Sequence, residues 1–246
     1  MTSHGRQRSK AKPDYGVDAP RVGLIVVMAV AAGLAFGLAF RRSASEAASI
    51  AASVILSLVP TGVILILLMV SYVKVEKFRH RDRMLNLVSW RGDEQVLDIG
   101  TGRGLLTIGA AKRLTTGKSI GIDIWREQDL SHNTLDAAMR NAEIEGVRDK
   151  VELRNANAVQ VPFADRSFDC VLSNLCLHNI PSRAGRATAC REIARVLKPG
   201  GVALVSDFKY TDEYSKALRE EGLETTCAFS FLLAPMLLRI VKASKP

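Results

Sequence analysis

Two long apolar runs near the start of the chain constrain its fold more than any other feature. The first extends from Val22 to Phe40, about 19 residues, and the second from Ile50 to Val73, about 24 residues. Each is long enough to cross the hydrocarbon core of a bilayer, and neither has the polar stripe of a surface helix. A pair of buried core helices and a cleaved signal peptide are weaker alternatives. The sequence therefore predicts a two-helix transmembrane hairpin over residues 22–73.

Basic residues flank these runs and predict their orientation. The formal net charge is +9, and five Lys or Arg residues precede Val22, while five more lie between Lys74 and Arg83. The loop between the runs carries only Arg41 and Arg42. An excess of Lys and Arg marks cytoplasmic segments, so both ends of the hairpin are expected to face the cytoplasm. This placement suits an anionic lipid surface better than nucleic acid, so we expect membrane lipids as partners and no nucleic acid.

Composition suggests how the remaining segments are organised. Residues 1–21 are polar and basic, which predicts a disordered cytoplasmic tail. Residues 74–92 read as an amphipathic juxtamembrane helix, and residues 93–246 as a single soluble domain. Gly33 and Gly37 have GxxxG spacing, which predicts a packing face for the second helix or for another subunit in a homodimer. Chance spacing in a Gly- and Ala-rich segment explains the pair equally well.

From Gln95 onward, short β-branched runs alternate with helical segments. This alternation predicts a doubly wound parallel sheet. An apolar stretch between Thr225 and Val241 is short for a membrane span and instead predicts two closing antiparallel strands. The predicted strands are Gln95–Ile99, Ser119–Ile124, Val151–Asn155, Phe168–Ser173 and Gly201–Asp207, and the predicted helices are Leu105–Leu114, Ser131–Glu145, Arg183–Val196 and Asp212–Glu221.

A glycine-rich turn follows the first predicted strand. Gly100, Gly102 and Gly104 lie between that strand and a helix, and glycines let a ligand approach the backbone closely. Asp123 ends the second strand, where a carboxylate can accept hydrogen bonds from the two hydroxyls of a ribose. Ligands bind at the carboxyl ends of strands in doubly wound sheets, so these two elements predict a nucleotide-like cofactor.

At this point the sequence resembles the class I S-adenosylmethionine-dependent methyltransferases, particularly their small-molecule and lipid-modifying members. The resemblance covers roughly residues 84–245 and is carried by VLDIGTGRG, GIDIW, NANAVQVPFADRSFDCVLSN and EIARVLKPGG, in the family's order and spacing. It implies a Rossmann-like seven-stranded sheet with a reversed last hairpin, S-adenosylmethionine as the cofactor, and methyl transfer as the reaction.

The resemblance also assigns cofactor-binding residues. The glycines would surround the amino-acid part of the cofactor, Asp98 would order that loop or meet the cofactor's amino group, and Asp123 would hold the ribose. Asn157 stands where the family commonly has an aspartate that contacts the adenine amino group; its amide oxygen can still accept, but the charge is lost. The full set is Asp98, Gly100, Thr101, Gly102, Gly104, Asp123, Ile124, Asn157, Ala158 and Asn174.

Two other kinds of function remain open from the sequence. A nicotinamide-dependent oxidoreductase also uses a glycine-rich turn, but its fingerprint is GxGxxG, whereas this turn is GxGxG. A non-catalytic membrane sensor or scaffold could keep a cofactor-binding fold without turnover. The intact glycine turn and Asp123 favour the methyltransferase.

The reacting groups are harder to assign. His178 follows the fourth strand and is the candidate catalytic base, with loop packing as the alternative. Cys176 is a candidate acceptor or thiol ligand, although a small packing role fits it better. The spacing of the cysteines and histidines suggests no metal site. Because a membrane tether raises the local concentration of a membrane-resident molecule, we expect a lipophilic small-molecule acceptor.

Overall fold

A computed structural model describes residues 11–17, 20–42, 45–230 and 238–246 of the chain. Predictions that fall on residues 1–10, 18–19, 43–44 and 231–237 lie outside the described residues. The helices are α1 (Pro20–Phe40), α2 (Glu46–Ser71), α3 (Lys77–Leu85), α4 (Leu105–Ala111), α5 (Leu135–Ile144), α6 (Arg183–Val196) and α7 (Thr211–Glu220). The strands are β1 (Gln95–Ile99), β2 (Lys118–Asp123), β3 (Val151–Asn155), β4 (Phe168–Asn174), β5 (Leu197–Asp207), β6 (Glu224–Ser230) and β7 (Leu238–Ser244).

The two apolar runs form α1 and α2, which pack against each other as a hairpin. Both are long and apolar enough to cross a membrane by length and composition, and almost none of their residues are buried within the protein. Gly33 and Gly37 face Ile55 and Leu56 of α2, so a side chain at either glycine would press on the neighbouring helix. The GxxxG face is therefore occupied by α2 within the chain.

The apolar hairpin passes into the soluble domain without a linker. A π-helical turn over Tyr72–Glu76 joins α2 directly to α3. The juxtamembrane helix was predicted to reach residue 92, but α3 ends at Leu85. The reason is tertiary: the indole N–H of Trp90 donates to the Leu85 carbonyl at 2.7 Å, which satisfies one of the open groups at the helix end.

Seven strands form one sheet in the order β3-β2-β1-β4-β5-β7-β6. Strands β1 to β5 pair in parallel, and β7 pairs antiparallel to both β5 and β6, as the sequence predicts for a reversed last hairpin. β5 begins at Leu197, four residues before its predicted start, because Leu197 pairs with Phe168 across an irregularity in the ladder. The parallel order places the carboxyl ends of β1, β2 and β4 side by side.

A short segment of the predicted disordered tail instead packs on the domain. The Asp14 backbone N–H donates to Asn141, and the Val17 N–H donates to the Ser131 hydroxyl at 2.8 Å. Tyr15 is buried, with its hydroxyl 3.0 Å from Glu145. These contacts hold the backbone of Asp14–Val17, which we call the strap, against the domain. Composition did not reveal them, because the partners of the strap lie far away in the sequence.

Candidate active site

The carboxyl ends of β1, β2 and β4 enclose a cavity of about 280 Å³. Most of the residues assigned to the cofactor from the sequence line it, together with residues from the strap, the π-helical turn and the loops after β2 and β4. The assigned residues in its wall are Asp98, Gly100, Thr101, Gly102, Asp123, Ile124, Asn157, Ala158 and Asn174.

The glycine turn is shaped by close contacts. Gly100 has φ +75°, and a Cβ there would overlap the Cys176 Sγ. Gly102 has φ +53° and faces Leu130. Gly104, also assigned to the cofactor from the sequence, precedes α4 with φ +88° and faces Ile108 rather than the cavity wall. Its role is to let the chain turn into the helix.

Asp98 is completely buried at the end of β1. Its Oδ2 accepts from the Thr107 backbone N–H at 3.0 Å and from the Thr107 hydroxyl at 2.6 Å. These bonds join β1 to the first turn of α4, so they order the glycine turn between them. Burial raises the pKa of Asp98 from 3.8 to about 6, against the lowering effect of the Thr107 hydrogen bonds. The ionised form of Asp98 in the cavity wall therefore lowers the stability of the fold.

The Asp123 carboxylate joins the glycine turn to the residues that follow β2. One carboxylate oxygen accepts from the Gly102 N–H at 2.8 Å, and the other accepts from the Trp125 N–H at 2.7 Å. Each oxygen has a further lone pair for a ligand hydroxyl. Beside it, Ile124 is 45% exposed, an apolar face at the edge of the cavity.

Two amide oxygens in the wall have no hydrogen-bond partner within the described part of the chain. They are the Oδ1 atoms of Asn133 and Asn174. The Asn133 side chain is 3% exposed, and its NH₂ donates to the Arg126 carbonyl at 3.2 Å. A buried acceptor without a donor costs free energy, which a bound molecule with N–H or O–H groups would recover. Asn157 differs, because its Oδ1 already accepts from the Val159 N–H at 3.1 Å.

His178 is held beside the cavity by Asp207. The His178 Nδ1 lies 2.9 Å from one carboxylate oxygen of Asp207, which is fully buried at the end of β5. Asp207 also accepts from the Phe208 N–H and lies within 3.4 Å of the Tyr214 hydroxyl. In the neutral form of the His178 ring, a proton on Nδ1 would be donated to the Asp207 carboxylate, and Nε2 would carry the lone pair. His178 is absent from the cavity wall itself, although Cys176 and Asn179 on either side of it are present.

Three of the cysteines in the described residues, Cys170, Cys176 and Cys190, are unsuited to chemistry. Burial raises the pKa of Cys190 to about 12, and it raises the pKa values of Cys170 and Cys176 still further. A thiol that stays protonated is a poor nucleophile, so Cys176 acts by packing against Gly100. Within the described ranges, His, Cys, Asp and Glu form no group of three that could hold a metal ion.

Four wall residues that the sequence did not single out come from the segments that flank the apolar hairpin and from the loop after β2. Tyr72 and Lys77 lie just beyond α2, Tyr15 belongs to the strap, and Leu130 faces Gly102 and Gly16. Lys77 is buried, and its ammonium donates to the carbonyls of Tyr15 at 3.2 Å and Gly16 at 2.6 Å. The only sequence signal for Tyr15, Tyr72 and Lys77 was their proximity to the apolar runs, and Leu130 had none. Asp207, by contrast, ended a predicted strand at the ligand-binding edge and could have been found.

Another buried histidine anchors α3 to this edge of the sheet. His80 is 1% exposed, and its Nε2 lies 2.8 Å from the Ser206 hydroxyl on β5. Burial lowers the pKa of His80 to about 4, so the ring is neutral at physiological pH. The helix that continues from α2 is therefore fixed next to the cavity.

Comparison with known proteins shows which domain family this part of the chain is similar to. Residues 97–205 match the model of the family described as Methyltransferase domain. A demethylmenaquinone methyltransferase from Lactiplantibacillus plantarum is 37% identical over 136 residues, which cover 48% of this chain and 54% of the relative. The chain spans about half the length of the curated relatives it matches.

Solved structures show the same fold at low identity. The geranyl diphosphate C-methyltransferase of Streptomyces coelicolor aligns with a TM-score of 0.56 and 15% identity, covering 72% of this chain and 82% of that protein. The [4+2]-cyclase SpnF aligns with a TM-score of 0.57 and 19% identity, covering 69% and 80%. Since proteins named for different reactions share the architecture, the fold alone does not identify the reaction.

Proposed function

We propose that this protein is an S-adenosylmethionine-dependent methyltransferase that acts on a lipophilic, membrane-associated small molecule. The observation that carries the proposal is the pairing of Asp123 with the Gly102 N–H inside a stretch that matches the methyltransferase domain family. A carboxylate for ribose and a glycine turn for the amino-acid end meet on one cavity wall. The demethylmenaquinone methyltransferases among the relatives support a lipophilic acceptor.

The cavity fits this cofactor chemically. The unpartnered oxygens of Asn133 and Asn174 call for N–H or O–H donors, and a nucleoside with an amino-acid tail supplies several. Gly100 and Gly102 line the cavity, and a Cβ at either position would collide with Cys176 or Leu130, so the turn needs both glycines. Asp98 and Asp123 put negative charge beside a cationic ligand. When bound, the cofactor supplies an electrophilic methyl group on a sulfonium.

The residues of this chain then orient the acceptor and remove its proton. Alignment of the acceptor atom in a closed site supplies much of the rate acceleration. His178, held by Asp207 with Nε2 open, is the base we propose for an acceptor that bears a proton. Asp129 is the alternative base, because it lies in the cavity wall and burial raises its pKa.

Membrane attachment of the active site rests on α1 and α2. The hairpin is exposed and apolar over two helices, unlike the largely buried core helix of a soluble protein. The strap precedes α1 and contacts the same domain that follows α2, so the two ends of the hairpin lie on one side of any bilayer it crosses. The positive-inside rule makes that side the cytoplasm.

A binding and transfer experiment on the full-length protein tests the proposal. The protein in phosphatidylcholine vesicles is expected to bind S-adenosylmethionine by calorimetry and to transfer label from its methyl group to a component of a membrane lipid extract. An Asp123→Ala variant should bind the cofactor more weakly and transfer correspondingly less label. Binding without transfer to lipid, protein or soluble fractions would favour a sensor or scaffold. Absence of binding by the folded parent would refute the methyltransferase.

A further inference from the structure

The residues that line the cavity fall into two groups, which we call the cofactor half and the membrane-side half. The cofactor half consists of the glycine turn, the strand ends and the loop at Asn157. The other half contains Tyr15, Tyr72, Lys77 and Leu130, which none of the cofactor motifs accounts for. This second half needs its own explanation.

Both ends of the apolar hairpin reach this second half. Tyr72 is the first residue after α2, and Tyr15 lies five residues before Pro20, where α1 begins. Because α2 continues into the π-helical turn and α3 with helical backbone throughout, the distance between the apolar helix and the cavity is fixed. A helix rises about 1.5 Å per residue, so the cavity begins within one turn of the end of α2.

The strap is held as a rigid edge of the same opening. The Lys77 ammonium donates to two strap carbonyls, Asp14 pairs with Arg103 at 3.0 Å, and Gly16 fits closely against Leu130 and Ser131. Gly16 has φ +68°, and a Cβ there would lie about 3.0 Å from both neighbours. These contacts hold the strap firmly in place along one edge of the cavity.

The sequence fixes the depth of the opening in a bilayer. The second apolar run ends at Val73, and Lys74 is the first charged residue after it. Tyrosine favours the headgroup level of a membrane, which is where Tyr72 falls if α2 spans. A molecule that enters there keeps its apolar part in the bilayer and offers only its polar end to the cavity.

We propose that the cavity opens sideways onto the membrane interface between the strap and Tyr72, and that it receives the polar, hydroxyl- or amine-bearing end of a membrane amphiphile whose chain stays in the bilayer. The nature of the substrate rests on the proposed function. The position of the opening rests on the geometry of the strap and Tyr72. Leu130 forms the far wall of that entry path, and Tyr72 determines which polar ends pass.

Cysteine labelling from the bilayer tests the opening without knowledge of the acceptor. In a Cys227→Ser background, which removes the exposed thiol, Leu130→Cys is the reporter, and Asp136→Cys is its matched control. Asp136 is exposed and close in sequence but lies outside the cavity wall. The full-length variants are placed in vesicles of phosphatidylcholine and phosphatidylglycerol. The two reagents are a charged, water-soluble maleimide and a maleimide with a chain of about 14 carbons, which partitions into bilayers with a constant of about 10⁴ M⁻¹.

We expect Leu130→Cys to react with the bilayer reagent about tenfold faster than with the aqueous one, since the bilayer concentrates the reagent at the opening. Asp136→Cys should show the reverse order. A Leu130→Cys variant that follows the Asp136→Cys pattern would overturn the proposal, because its cavity would open to water. Tyr72→Cys gives the same comparison if Leu130→Cys misfolds. Methyl transfer is measured separately, so a failure of the proposed function leaves the labelling result intact.

Discussion

Replacing Asp98 by Asn should separate the effect of this carboxylate on the free energy of unfolding from its effect on cofactor binding. The folded pKa of about 6 and the ordinary value of 3.8 lie about 2 pH units apart, which corresponds to about 3 kcal/mol at 1.36 kcal/mol per unit. The folded state holds the proton more tightly than the unfolded chain does. The cost is therefore absent below about pH 4, accumulates as the pH rises through 6, and is complete above it.

An asparagine side chain at this position would remove the pH dependence. Both Thr107 hydrogen bonds end on the same oxygen of Asp98, so the amide oxygen can accept both of them. The new NH₂ group adds a cost of about 1–3 kcal/mol if it finds no acceptor, but that cost does not change with pH. Relative to the parent, Asp98→Asn should therefore gain up to about 3 kcal/mol of stability between pH 4 and pH 7.

Urea unfolding of the full-length protein in micelles, at a series of pH values, measures the difference. Calorimetry at pH 7 should also show weaker S-adenosylmethionine binding by Asp98→Asn, because a negative charge beside a cationic ligand is lost. A stability difference that stays constant from pH 4 to pH 7 would refute the buried, titrating carboxylate. Unchanged cofactor affinity would show that Asp98 serves the fold alone.

The other predictions concern the loop, the base, the thiol and the hairpin. Asp123→Ala should weaken S-adenosylmethionine binding about 10- to 100-fold in calorimetry, since it removes the partner of the Gly102 N–H as well as the ribose acceptor. His178→Asn should lower kcat by about 10²- to 10⁴-fold without changing cofactor affinity; an unchanged kcat would transfer the role to Asp129. Cys176→Ala should leave kcat intact, because its buried thiol stays protonated; loss of turnover would contradict a packing role. Gly62→Leu should destabilise the hairpin by about 1–3 kcal/mol in thermal unfolding, since even a Cβ at Gly62 overlaps Val30; unchanged stability would mean that the helices separate freely.

The cofactor half of the site was readable from sequence because its signals are local. The glycine turn and its flanking strand and helix are contiguous in the chain, and Asp123 follows at the end of the next strand. Parallel pairing of β1 to β5 was predictable for the same reason, since alternating strands and helices are typical of a doubly wound parallel sheet. The predicted strand ends differ from the observed ones by at most a few residues, as at Leu197.

The membrane-side half was not readable because it depends on distant partners. Tyr15 is buried only because Glu145 and Phe78 are brought to it by the fold. The pairing of His178 with Asp207 joins the turn after β4 to the end of β5, and the two residues are 29 positions apart in the chain. Burial of Lys77 depends on the strap carbonyls, whereas its position in a basic run favours a solvated side chain. Local composition cannot distinguish a side chain that the fold buries from one that stays exposed to solvent.

The strap has a consequence for how the protein is made. Asp14–Val17 leaves the ribosome well before Lys77, Arg103, Ser131 and Asn141, the residues that later hold it. Since domains generally fold as units during synthesis, the strap is expected to close on the domain only after these partners have been made and folded. Shortening the chain to begin after the hairpin, a common route to soluble protein, would remove Tyr15 and Tyr72 together. Such a protein would be expected to keep the cofactor half of its cavity and lose the wall through which, on our proposal, the acceptor is selected.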